Sequence, residues 1–266
     1  MKNRYHLYIL FFCISFFNIS FVASDEFNFN TSEMVISDNG NIIETKKGSA
    51  KSSIDGINID ANSFLYNKNT STLTALGDVK ITSLKNDFLI ETQGIIYNTF
   101  KKEITSTENI FINDTQDNLV EAKGFALYLN DDIIKLEQMK MLDVQQNLIE
   151  LDIAYLNLNT KKLIGKDVSV SFNNKTYNKE NEPRLKGVSL KKDSQNSIIT
   201  KGVFTTCKKN DDCPPWQLQA EKIRHDKEKK TIYYDNAWLK VYDKPIFYFP
   251  KFFHPDPSVK RQSGFL

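Results

Sequence analysis

A two-residue apolar alternation, repeated at a nearly fixed interval, restricts this chain more than any other feature of its sequence. Leu73, Ala75, Gly77, Val79 and Ile81 fall on one face of an extended segment, while Thr74, Asp78 and Lys80 fall on the other. That is the period of a half-buried strand. The pattern then returns. Leu73, Val79 and Ile81 reappear 31 residues later as Ile104, Ile110 and Ile112, and Tyr66, Tyr97 and Tyr128 keep the same step of 31. In the third copy the strand after the tyrosine comes early, so a step of 29 leads to Ile133, Met139 and Met141. A fourth copy sets Asn157-Leu158-Asn159-Thr160 before Leu163, Val168, Val170 and Phe172. A fifth, more distant copy runs from Trp216 through His225-Asp226-Lys227 to Leu239 and Val241. Polar, turn-forming clusters follow each tyrosine and separate the copies.

A repeat of this length holds two strands and two turns, and a single copy cannot bury its own apolar face. The expected fold is therefore all-β: an open, twisted β-roll of stacked two-strand repeats. A parallel β-helix and an ordinary sandwich are the alternatives. With 10 glycines in 266 residues, glycine is sparse for the tight corners of a β-helix. The polar stretch 174–197, rich in Asn, Lys, Ser and Glu, is expected to form a mobile loop between copies. The repeating apolar face has two readings, a closed core or an open trough for lipid chains.

Two dozen residues precede this body. Lys2 and Arg4, an apolar run from Leu7 to Phe21 and the small residues Val22-Ala23-Ser24 predict a secretory signal peptide cleaved near Ser24. The run is shorter than the roughly 20 residues a membrane-spanning helix needs. Its removal leaves 33 basic against 33 acidic residues, since Lys2 and Arg4 are the only charges lost. A neutral balance argues against nucleic acid as a partner. Export places Cys207 and Cys213 in an oxidising compartment, where a local disulfide across Lys208-Lys209-Asn210-Asp211-Asp212 competes with free or intermolecularly paired thiols. A zinc site joining them to His225 and His254 matches no standard spacing. No HExxH, GxSxG, P-loop or glycine-rich dinucleotide fingerprint is present. The expectation is a protein that is not an enzyme and takes no metal or cofactor.

The C-terminal stretch is more specific. Prolines are confined to residue 183 and beyond, and the chain closes with Pro245-Ile246-Phe247-Tyr248-Phe249-Pro250, Lys251-Phe252-Phe253 and His254-Pro255-Asp256-Pro257-Ser258-Val259-Lys260-Arg261-Gln262-Ser263-Gly264-Phe265-Leu266. Thr206-Cys207, Pro215-Trp216, Ala220-Glu221-Lys222-Ile223 and Asn236-Ala237 lie upstream. Together these segments resemble the junction and closing repeats of the LptD (OstA) family of outer-membrane lipopolysaccharide-assembly proteins, and the resemblance covers roughly residues 25–266.

It implies residues 1–24 as signal peptide, 25–244 as a periplasmic β-jelly-roll and 245–266 as a junction leading to an outer-membrane β-barrel that this chain lacks. It implies lipopolysaccharide as ligand, received from a periplasmic bridge protein of the same fold through an N-terminal strand edge, near residues 54–81, by β-augmentation. An outer-membrane lipoprotein is the partner implied for the translocon if the barrel is present. Leu73, Val79, Ile81, Ile104, Ile110, Ile112, Met139, Met141, Val168, Val170 and Phe172 become candidate acyl-chain contacts. Cys207 matches the family's cysteine in this domain, which implies pairing with the barrel in a complete chain and competes with the local disulfide. Two rivals stand beside this reading: a free-standing bridge protein of the same fold, and a β-helical adhesin or polysaccharide-active enzyme.

Overall fold

Most long strands of this protein slip phase once, near the middle, and the architecture follows from that slip. The computed structural model describes residues 26–83, 88–114, 118–173, 182–208, 215–256 and 259. The strands are β1 (Asn28–Thr31), β2 (Met34–Ser37), β3 (Ile42–Ser52), β4 (Ile57–Asn67), β5 (Thr72–Ser83), β6 (Phe88–Asn98), β7 (Glu103–Ser106), β8 (Ile110–Asp114) and β9 (Leu119–Ala122). They continue as β10 (Gly124–Tyr128), β11 (Ile133–Leu142), β12 (Leu148–Asn157), β13 (Leu163–Ser171), β14 (Arg184–Lys192), β15 (Asn196–Thr205), β16 (Trp216–Asp226), β17 (Thr231–Val241) and β18 (Lys244–Pro255).

Strands that follow one another pair antiparallel from β3 to β6 and again from β11 to β18. Between these runs β7 and β8 together take the place of one long strand along β6, and β9 and β10 take the next place along β11. β1 and β2 share the outer edge of β3. The described pairings form one antiparallel meander, which removes the parallel β-helix alternative.

Buried side chains in β12 run Ile149, Leu151, Ala154, and in β16 Leu218, Ala220, Ile223. In both strands the step of two becomes three once and then resumes. β11 does the same with Ile134, Leu136, Met139 and Met141, and β17 with Ile232, Tyr234 and Ala237. At the slip one strand of each pair carries a left-handed residue: Gln138 (φ 48°), Asp167 (φ 52°), Lys201 (φ 49°) and Asn236 (φ 52°). Such bulge-like residues bend a strand and sharpen its twist. In β5 the corner is Gly77 (φ 77°) with Asp78 (φ 46°), and the ladder to β6 shifts register there. Side-chain bonds brace two of these corners, from Asn62 Nδ2 to Asp78 (3.1 Å) in β4–β5 and from Asn236 Nδ2 to Glu221 (2.7 Å) in β16–β17. These strands thus fold in two, their halves face each other, and their inner faces build one continuous apolar core.

Glycine permits this fold where the two halves crowd. A Cβ on Gly187 would stand 2.3 Å from Ile199 Cγ2, and one on Gly202 would stand 2.4 Å from Ile223 Cδ1.

Two sequence expectations change. Residues 174–197 are not a loop throughout: β14 occupies Arg184–Lys192 and pairs with β13 and β15, with Leu185 and Leu190 buried. Its remaining positions are largely polar or glycine, which dilutes the alternation. Residues 54–81 do not offer an open edge either, because β4 and β5 are paired on both sides. Among the described residues the edge at that end belongs to β1 and β2, whose laddered partner is β3. The expected signal peptide and the segment 260–266 lie outside the described residues.

Candidate functional site

Five turns at one rim of the roll share a construction. Tyr66 faces Leu73 across its turn, Tyr97 faces Ile104, Leu127 faces Ile134, Leu156 faces Leu163 and His225 faces Ile232. Each turn closes on a left-handed residue: Ser71, Lys102, Asp132, Lys161 or Lys230. Asn67, Asn98, Asn157 and Asp226 start four of them by accepting backbone N–H bonds from within the turn, as short polar side chains do. Neighbouring turns are stitched by Thr99 N to Ser71 O (2.9 Å), Leu129 N to Lys102 O (3.0 Å) and Leu158 N to Asp132 O (2.8 Å). The third copy therefore departs from its expected register. Leu127, not Tyr128, takes the tyrosine's place, and Ile134, not Ile133, faces inward. A strict two-residue period counted back from Met139 lands one residue off because of the slip at Gln138.

Because each strand is folded in two, both of its ends arrive at the same open side. The rim carrying these turns faces the rim carrying the β3–β4 and β11–β12 turns, and the line between them is the mouth of the roll. Toward the N-terminus the mouth is clasped. Asp55, on the β3–β4 turn, accepts bonds from the Tyr97 hydroxyl and from Ser52 Oγ (3.0 Å), and pairs with Lys102 at 2.9 Å. Burial, then the bond to Asp55, pushes the Tyr97 hydroxyl far above the usual phenol range. One repeat earlier, Glu26 accepts bonds from the Tyr66 hydroxyl and from Thr99 Oγ1 (2.9 Å). Phe27 inserts beside it, edge-on to Tyr66 (5.1 Å between centroids) and Tyr97 (5.7 Å). At the far end the equivalent inner position is His225, whose imidazole meets the Asp256 carboxylate just after β18. Tyr66, Tyr97 and His225 thus each hold a carboxylate, whereas the middle positions Leu127 and Leu156 are apolar.

Between the clasps the mouth is hollow. A cavity of about 250 Å³ lies where Asp55, Ile57 and Phe88 face Leu127, Leu129 and Leu158. A second, of about 390 Å³, opens in the C-terminal half. Its floor includes Ile149, Val170, Phe172, Leu190, Ile199 and Ile223, and its rim carries Asp143, Lys192, Lys227 and Lys230. An apolar floor with a few polar groups at the rim, in the range of about 300–1,000 Å³, is the form of a ligand site. The shape suits an elongated apolar group with a polar end left at the mouth.

All eleven alternation residues point into the roll. Leu73, Val79, Ile81, Ile104, Ile110, Ile112, Met139, Met141, Val168 and Val170 are buried, and Phe172 packs against them half-buried. Only Val170 and Phe172 among them line the larger cavity. Leu185, Leu190, Ile199, Ile223 and Ile232 line it as well. The sequence does not single out these five, because residues 174–197 read as a loop and because the phase slip hides the alternation of β15 to β17. Cys207 is half-buried, with its thiol 3.7 Å from Trp216 O, while Cys213 lies outside the described residues. Among the described residues no three His, Cys, Asp or Glu side chains cluster as a metal site would require.

The fold and mouth define a class: an all-β jelly-roll of stacked, folded strands whose apolar interior opens along one side. Within that class the chain is similar to the LPS-assembly protein LptD, with 42% identity over 77 residues to the protein of Shewanella sp. (strain ANA-3) and to that of Shewanella oneidensis. The LptD of Shewanella sp. (strain MR-4) is 41% identical over the same length. Each match covers 27% of this chain and 9% of the relative, so it spans a small part of those longer proteins. No protein-family model matches the chain. Among solved structures, LptH, the LptA-homologous periplasmic component of the lipopolysaccharide transport device of Pseudomonas aeruginosa, aligns over 53% of this chain and 81% of its own, at 8% identity and a TM-score of 0.24.

Proposed function

We propose that this chain is a periplasmic lipopolysaccharide-receiving module: acyl chains lie in the apolar interior, the polar headgroup stays at the mouth, and the lipid passes on to an outer-membrane translocon. The observation that carries this reading is the 390 Å³ cavity with an apolar floor that opens at the mouth of the roll. The similarity to LptD supports it. The work is binding and passage, with no bond made or broken, and each buried methylene contributes about 0.8 kcal/mol. Energy for directed movement has to come from elsewhere in the pathway. In this reading residues 1–24 direct export, 25–244 hold the lipid and 245–266 lead toward the outer membrane. The edge of β1 and β2 receives a bridge protein of the same fold by strand addition, and a lipoprotein partner belongs to the barrel side. Cys207 pairs either with Cys213 or with a cysteine beyond this chain, which non-reducing peptide mapping distinguishes.

The test is a binding titration of the exported protein with lipopolysaccharide. Ile223→Asp, on the cavity floor, abolishes binding, while Ile164→Asp, on the outer face, leaves it intact. Equal affinity of both variants contradicts the proposal.

A further inference from the structure

Lys227 occupies an unusual position on the rim of the larger cavity. It follows the last strand residue of β16, and its backbone N–H is fixed by Gln195 O at 3.0 Å. Its ammonium donates to two backbone carbonyls of the β14–β15 turn, Asp193 O at 3.0 Å and Ser194 O at 3.4 Å. An ammonium carries three hydrogens, and no carboxylate is within ion-pair distance of Lys227 among the described residues. Partial burial lowers its pKa, against the weaker opposing pull of Asp193 and Asp143.

The rim's carboxylates are already engaged. Asp143 accepts from Gln145 N (3.0 Å), Asn147 N (2.8 Å) and Asn147 Nδ2 (3.0 Å), all within its own turn. Asp256 meets His225. With three lysines, Lys192, Lys227 and Lys230, against the two carboxylates, the rim is net cationic, and Lys227 is held at the edge of the apolar floor. A cation held only by carbonyl dipoles in a partly dry site gains most from an anion that arrives with it, since a charge-assisted bond is about twice as strong as a neutral one.

We propose that Lys227 is the anion-recognition residue of this cavity, pairing with a phosphate attached to an acyl chain that lies on the Ile199–Ile223 floor. This rests on the trough reading above and adds to it a requirement for a negative headgroup at one place. Calorimetric titration of the exported protein tests it with three probes: decyl phosphate, the neutral decyl glucoside and inorganic phosphate. Decyl phosphate is expected to bind about tenfold more tightly than decyl glucoside, the equivalent of one charge-assisted hydrogen bond. Lys227→Met removes that advantage and leaves the glucoside affinity unchanged. Lys186→Met, the same charge change on an exposed position of β14, leaves both affinities unchanged. Equal binding of the two amphiphiles, untouched by Lys227→Met, overturns the inference while the trough reading survives. Binding of neither amphiphile by folded protein overturns both. Inorganic phosphate binding as tightly as decyl phosphate shows a free-anion site and also overturns the proposal.

Discussion

Asp55 reaches across the mouth with its side chain only 7% exposed, and its partner Lys102 is 23% exposed. Removing one member of such a pair leaves the other charge in a poorly hydrated place, which costs about 3 kcal/mol. Lys102→Met is therefore expected to lower the urea midpoint, and Tyr97→Phe, which removes one bond to the same carboxylate, to lower it by less. If the clasp gates the N-terminal half, Lys102→Met also speeds lipid access to Ile110 and Met139; unchanged capture there confines the clasp to stability. At the other end, His254 is kept neutral. Burial lowers its pKa from the usual 6.5, outweighing the bond to the Pro255 carbonyl and the charge of Asp256, while Nε2 accepts from the Tyr234 hydroxyl at 2.9 Å and Nδ1 donates to Pro255 O at 2.6 Å. The unfolded chain takes up this proton first, so stability is full above the ordinary histidine pKa and falls as the pH drops through it. His254→Phe should flatten the loss of stability between about pH 7.5 and 5.5 seen by urea melts; an unchanged slope assigns that loss to another group.

The strand is the element that the sequence both reveals and disguises. Gly187 stands at the corner of β14, where a side chain would collide with Ile199. Gly187→Ala is expected to destabilise by about 1–3 kcal/mol through overpacking, and Ile199→Ala in the same chain should recover part of that, as measured by denaturant melts. Additive losses would show that the corner is not crowded. The same corners explain how far the sequence could be read. β5 keeps Leu73, Ala75, Val79 and Ile81 in phase because its corner holds the two residues Gly77 and Asp78, so its inner face was plain. β11 has a one-residue corner at Gln138, and the same counting chose Ile133 where Ile134 is buried. In β14 only Leu185 and Leu190 are both apolar and buried, one on each side of Gly187, and a strand with one such residue per half looks like a loop. Burial at the recurring positions was legible. The mouth was not, because Asp55 meets Lys102, Lys227 meets the Asp193 and Ser194 carbonyls, and His225 meets Asp256, each across turns far apart in sequence.

Across the whole molecule the two ends of the ladder differ. β2 exposes Met34, Val35 and Ile36 at one edge, and β18 exposes Ile246, Phe247, Tyr248 and Phe253. Apolar edges favour pairing with a further strand, and under the proposed function these two edges are where strand addition is expected. The exported chain alone should self-associate through β18 at micromolar concentration, and Phe247→Lys should shift its sedimentation toward monomer; an unaltered distribution would place association elsewhere. Between these ends the proposed function puts lipid on the inner face and not on the outer one. Photo-crosslinking in cells that make lipopolysaccharide tests it most directly, with the crosslinker placed at Val170, on the cavity floor, or at Ile164, on the same strand but 50% exposed on the outer face. Capture of lipopolysaccharide at Val170 and not at Ile164 is the predicted result, whereas capture at Ile164 alone, or at neither position in folded protein, contradicts it.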